Sequence, residues 1–153
     1  MAKHSYRQFA YSHDAKRIII NGEVVAAGST GDMTVTTTDA AGVLGAISRG
    51  ITSMKYASAT GTFTIQFNDA FKRLLALTIT NQGTGSSAPT TNTFYVSGAT
   101  TGGFAALPAN STAGDKDYGN TYLTVVLGIC ATPFTATNPA TSEVIQIQAE
   151  FAA

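Results

Sequence analysis

The sequence predicts an all-β protein, an antiparallel β-sandwich, jelly roll or open barrel of about nine or ten short strands with long loops. Three observations carry this. Apolar and polar residues alternate with period two through several segments, as in Phe63, Ile65 and Phe67 against Thr62, Thr64 and Gln66. Thr, a β-branched residue that suits a pleated surface, occurs about 24 times, as does Ala. No long segment shows the 3.6-residue period of a helix.

The elements follow in order. Residues 18–25 place Asn21-Gly22 between two β-branched runs, the signature of a tight hairpin. Met33 to Thr38 begins as a strand. Residues 39–50 are ambiguous: Val43, Leu44 and Ile47 fit a short helix, but Gly42, Gly45 and Gly50 fit a loop. Ile51 to Ala57 is a strand, Ser58 to Gly61 a turn, and Thr62 to Phe67 a half-buried strand. Asn68 and Asp69 suggest a cap for one helical turn before the strand of Leu75, Leu77 and Ile79. Residues 82–92 are a low-complexity loop, and Thr93 to Ser97 is a short strand. Residues 98–120, rich in Gly, read as a long surface loop. Thr121 to Ile129 is apolar on both faces, as a central strand is, and Pro133 and Pro139 bracket a turn. Ile145, Ile147, Ala149 and Phe151 alternate with Gln146, Gln148 and Glu150 in a last strand. The expected core is Phe63, Ile65, Phe67, Leu75, Leu77, Ile79, Leu123, Val125, Leu127, Ile145 and Ile147, with Thr64 and Gln66 facing away from it.

The 153 residues suit one domain, with a core that needs neither metal nor disulfide. Nine basic residues balance nine acidic ones, and only 12% of residues are charged, against about 25% in an ordinary soluble domain. So little charge suits a chain held in an assembly better than one diffusing alone. The single cysteine, Cys130, excludes an intramolecular disulfide, and its apolar neighbours suggest a buried thiol. The opening residues lack the apolar run of a secretory signal, and no stretch is long and apolar enough for a membrane helix, so no membrane is expected among the partners.

Residues 1–17 stand apart as an extended arm, leaving 18–153 as a single β domain. Lys3, Arg7, Lys16 and Arg17 face one acid, Asp14, with Tyr6, Phe9 and Tyr11 interleaved. Cations beside aromatics suit a partner's surface, so Lys3, Tyr6, Arg7, Phe9, Tyr11, Lys16 and Arg17 are the candidate binding residues. Four cations would hold nucleic acid weakly and in a salt-sensitive way, so no specific nucleic-acid partner is expected.

No catalytic constellation is legible, and the reading is of a structural or binding protein, not an enzyme. His4 and His13 match no zinc spacing, and Cys130 alone cannot complete a site. Asp115-Lys116-Asp117 matches no calcium loop. Gly83-Thr-Gly85 precedes no helix and lacks the lysine of a phosphate loop. Asn110-Ser-Thr112 is a glycosylation sequon without a secretory signal. No metal or other cofactor is expected.

The stretch Gly50-Ile-Thr-Ser-Met-Lys-Tyr-Ala-Ser-Ala-Thr-Gly-Thr-Phe-Thr-Ile-Gln-Phe-Asn-Asp-Ala-Phe-Lys-Arg-Leu-Leu75 runs strand, Gly-Thr turn, alternating strand and short Asp-Ala-Phe turn. It resembles small virion proteins of tailed bacteriophages, in particular head decoration (cement) proteins. The ending, Ser142-Glu-Val-Ile-Gln-Ile-Gln-Ala-Glu-Phe151, is similar to their terminal strand. The resemblance implies a β-rich knob, often trimeric, made in the host cytoplasm and bound to the major capsid protein on the capsid exterior. It brings no catalytic residues. A phage tail, neck or fibre component and a carbohydrate-binding β-sandwich module are the alternatives. A fibre would show a repeat, and a glycan binder would show aromatic platforms, for which Tyr118 is the evident loop candidate.

Overall fold

The computed structural model describes residues 17–28, 31–38, 48–57, 59–69, 71, 73–84, 88–100 and 121–152. They form an antiparallel β-sandwich of nine strands without a helix. One sheet has the order β2-β1-β9-β5, from Thr34–Val35 (β2), Arg17–Val25 (β1), Val144–Ala152 (β9) and Arg73–Asn81 (β5). The other has the order β3-β4-β7-β6, from Ile51–Tyr56 (β3), Thr62–Phe67 (β4), Tyr122–Ile129 (β7) and Thr93–Thr100 (β6). Its fifth strand, Thr135–Ala136 (β8), pairs with the end of β7.

Alternation sets the inner faces. Ile18, Ile20 and Val24 of β1 and Ile145, Ile147, Ala149 and Phe151 of β9 meet Phe63, Ile65, Phe67, Leu123, Val125 and Leu127 from the opposite sheet in one core. A side-chain period of two makes this arrangement all-or-none, because a slip of one residue would turn each strand inside out. Three rings knit the sheets at one end. Phe67 meets Phe151 edge-on with centroids 4.9 Å apart, and Phe71 stacks on Phe151 at 4.4 Å. The Phe71 N–H donates to Thr121 Oγ1 at 2.8 Å, which fixes the chain where a helical turn was expected; Asn68 and Asp69 are bends and Arg73 already opens β5.

Several expectations are corrected. Asn21-Gly22 is no hairpin turn but the middle of β1, which runs unbroken beside β9 with Gly22 opposite Ile147. The glycine serves close approach instead: a Cβ there would overlap Ile51 Cδ1 from the facing sheet. The strand expected from Met33 shrinks to Thr34–Val35, with Met33 bridging to Met54. Leu75 lies outside the core at 36% exposure, because a bulge between Leu74 and Ala76 shifts the register and brings Leu74 to the core in its place. Leu77 and Ile79 are only partly buried. Thr64 and Gln66 face away from the core as expected, yet both are buried. Cys130 is exposed, since the apolar run of β7 outlasts the core and Ile129 is already 43% accessible. Gly98 to Thr100, expected in a loop, extend β6.

The two flanks of the sandwich differ. On one, β2 pairs with β1 while Met33 N–H donates to Met54 O at 2.9 Å, so β2 stitches the sheets together. The Ser48 hydroxyl covers backbone groups of β1, accepting from Glu23 N at 2.8 Å and donating to Glu23 O at 3.0 Å. On the other flank no ladder joins β5 to β6 among the described residues.

Ser142 holds φ of +69° in the turn before β9. An L residue carries a strain of about 1–2 kcal/mol in that region. Ser142→Gly therefore raises stability by up to about 1 kcal/mol, less than the whole strain because glycine is also freer when unfolded. Urea unfolding checks this as a higher midpoint at unchanged slope.

Candidate interaction surface

Of the candidate binding residues, Arg17 alone belongs to the described part; Lys3, Tyr6, Arg7, Phe9, Tyr11 and Lys16 lie outside it. Arg17 opens β1 opposite Ala152, and its guanidinium reaches diagonally to Glu150, Nη1 to Oε1 at 3.0 Å. Its side chain is 65% exposed, so solvent screens the pair and its stabilising effect is small. Beside it, Ile19, Ala76, Thr78, Gln148 and Glu150 line a shallow open groove on the outer face of the β1–β9–β5 sheet. The rest of that face is amide and hydroxyl: Gln148 stands between Asn21 and Thr78, and Gln146 between Glu23 and Thr80. Gln146 Nε2 donates to Glu23 Oε2 at 2.6 Å, so Glu23, like Glu150, is already engaged.

The opposite end is held by Glu143. This carboxylate is 2% exposed. Oε1 accepts from Thr90 N at 2.7 Å, and Oε2 accepts from Asn81 Nδ2 at 2.7 Å and Ala140 N at 3.1 Å. The Thr90 hydroxyl, at 3.0 Å from both oxygens, also accepts from Ala140 N. A buried carboxylate needs such donors to offset its lost hydration. One side chain thereby ties together the end of β5, the segment leading to β6 and the turn before β9. Asn92 completes the joint, its Oδ1 accepting from Cys130 N at 3.1 Å. The sequence shows Glu143 only as an acid ahead of an alternating strand; donors 53 and 62 positions away are not legible there.

Charge is distributed unevenly. No Lys, Arg, His, Asp or Glu lies between Arg73 and Asp115, nor between Asp117 and Glu143. Apart from Arg73, β5 to β8 are therefore uncharged. The four exposed large hydrophobic residues among those described, Leu75, Tyr95, Val96 and Ile129, all fall in these strands. The gap in charge is visible in the sequence; the exposure is not.

Among the described residues no three His, Cys, Asp or Glu side chains come together as metal ligands, and no helix could cross a membrane. The Asp115-Lys116-Asp117 cluster, both histidines, Asn110, Tyr118 and most of the 98–120 loop lie outside the described residues. Comparison with protein-family models, curated proteins and solved structures finds no match to this chain.

Proposed function

We propose that this protein is a structural virion component that decorates and stabilises a bacteriophage capsid, bridging adjacent capsid subunits from the outside as a homo-oligomer, with a trimer favoured. The observation that carries the reading is a sandwich whose exposed outer sheet face sets the amides and hydroxyls of Asn21, Gln146, Gln148, Thr78 and Thr80 among a few charges that are already engaged, Arg17 with Glu150 and Glu23 with Gln146. Such a face suits many modest contacts over an area. The resemblance of residues 50–75 and 142–151 to head decoration proteins points the same way. Arg17 opens the domain next to the Glu150 groove, and the residues before it are the proposed source of cations and aromatic anchors for the capsid. Individual rim charge pairs contribute under about 1 kcal/mol, so Tyr6, Phe9 and Tyr11 carry more of the affinity. Repetition over an oligomer multiplies these contacts.

Deleting residues 2–16, which spares Arg17 in β1, tests the reading. The truncated protein folds, binds undecorated heads at least tenfold more weakly, and leaves them breaking at a lower temperature than heads decorated with the full chain. Equal binding by both forms refutes the arm's role, and no affinity of the full chain for heads refutes decoration.

One observation favours a carbohydrate-binding module: Tyr95, 48% exposed, meets Phe134 at 5.2 Å. Their planes cross at 75°, so the pair does not form one flat platform for a sugar ring. Specific signal on a glycan array, lost in Tyr95→Ala, would support that alternative.

A further inference from the structure

The sandwich is stitched on one flank and open on the other. Along the open flank the inward residues of two edge strands are incompletely covered. Val96 stands opposite Val125 in the ladder, yet Val125 is fully buried and Val96 is 38% exposed. Phe94, opposite Leu127, and Leu77 and Ile79, opposite Ala149 and Ile147, are only partly buried against the core. Leu75 and Tyr95, also exposed, face outward from these two strands and lie outside this strip.

Edge strands in soluble proteins are commonly defended by charge, above all lysine. Here β6 has no charged residue and β5 only Arg73 at its first position. Bulges at Leu74/Ala76 and Val96/Gly98 interrupt the regular ladders, but they put no charge on either edge; the extra residues are Leu75 and Ser97. Incompletely covered apolar side chains along an uncharged edge, Val96, Phe94, Leu77 and Ile79, have the character of an interface core.

We infer that the β5–β6 flank is the surface through which the chain associates with a second copy of itself. The occupant follows from the charge pattern. A partner with charge at this surface would have to bury it without a counter-ion, at a high desolvation cost. A second copy brings the same neutral, apolar strip, and two such strips meet with neither like-charge repulsion nor unpaired buried charge. The inference deepens the reading of an assembling structural protein: the arm and outer sheet face are left for the capsid, and this flank for the oligomer.

Sedimentation velocity on the full chain tests it, with Val96→Lys and Val96→Glu as probes and Gln148→Lys, on the outer face of the other sheet, as control. The wild type and Gln148→Lys sediment as the same oligomer. Both flank variants keep the β-type circular dichroism and sediment as monomers, their association weakened at least tenfold. A monomeric wild type at about 100 µM overturns the inference, since even weak self-association shows at that concentration. Flank variants that remain oligomeric, or an oligomer broken by Gln148→Lys, also overturn it. The result is separable from the decoration reading: an oligomer that fails to add to heads sinks decoration and leaves this interface standing, and a monomer that adds to heads sinks this interface and the proposed oligomer but leaves decoration standing.

Discussion

Phe67→Ala lowers the stability of the domain by about 3–5 kcal/mol. Phe67 is fully buried, and its ring packs edge-on against Phe151 and Phe71. Phe67 belongs to β4 and Phe151 to β9, so this contact joins the two sheets. Truncation removes buried ring surface and leaves a cavity walled by strands that ladders hold on both sides. β4 is paired with β3 and β7, and β9 with β1 and β5, so neither can move in to fill it. The cost therefore includes a cavity contribution as well as lost transfer free energy. Equilibrium urea unfolding reads it as a lower midpoint at unchanged slope. Phe67→Leu, which keeps most of the volume, costs about 1–2 kcal/mol. A loss below about 1 kcal/mol for the alanine variant would be that of a surface site and would contradict the packing described.

Glu143→Gln, conservative in shape, is nearly as damaging as Glu143→Ala. Each carboxylate oxygen faces at least one N–H: Oε1 that of Thr90, Oε2 those of Asn81 and Ala140. Whichever way the glutamine amide turns, its NH2 points at a donor: toward Asn81 and Ala140 it leaves part-buried donors without the acceptor they had, and toward Thr90 it displaces the N–H that holds the segment leading to β6. An orphaned buried group costs about 1–3 kcal/mol. The glutamine variant therefore loses about 2–3 kcal/mol and the alanine variant about 2–4 kcal/mol, part of the latter recovered by water at the exposed Thr90. Hydrogen exchange adds a local reading: the amides of Thr90, Asn92 and Ala140 lose protection before those of β4 and β7. A glutamine variant as stable as wild type would mean that Glu143 does not hold this joint.

The contrast between Phe67 and Glu143 shows what the sequence could disclose. Phe67 is the end of a six-residue alternation, and local period alone places it inward. The same holds for Ile145, Ile147 and Phe151 in β9. Where period failed, a contact between distant segments decided the outcome. Gly22 follows Asn21 in a pattern made for a turn, but the close approach of Ile51 from the other sheet leaves the strand straight. Leu75 continues the alternation with Leu77 and Ile79, and one bulged residue against β9 turns it out. Cys130 ends an apolar run, and only the length of the core against the length of β7 decides that it is exposed. The candidate arm was legible as composition, a cluster of cations and aromatics without a period, and composition does not fix geometry. The charge-free span after Arg73 was equally legible, but its meaning depends on knowing that β5 and β6 both lie at sheet edges.

The place of β9 governs when this protein can become itself during synthesis. It runs between β1 and β5, and every ladder in its sheet except that of β1 with β2 includes it. Glu23 of β1 finds its amide partner Gln146 across 123 positions of chain. Until the ribosome has released that segment, β1 and β5 have no strand to join them, and the inner faces of Phe63, Phe67 and Leu123 have no opposite layer. A nascent chain in this condition exposes apolar strands until β9 is made, and closing the sandwich then depends on distant pairings, the slow class of folding reaction.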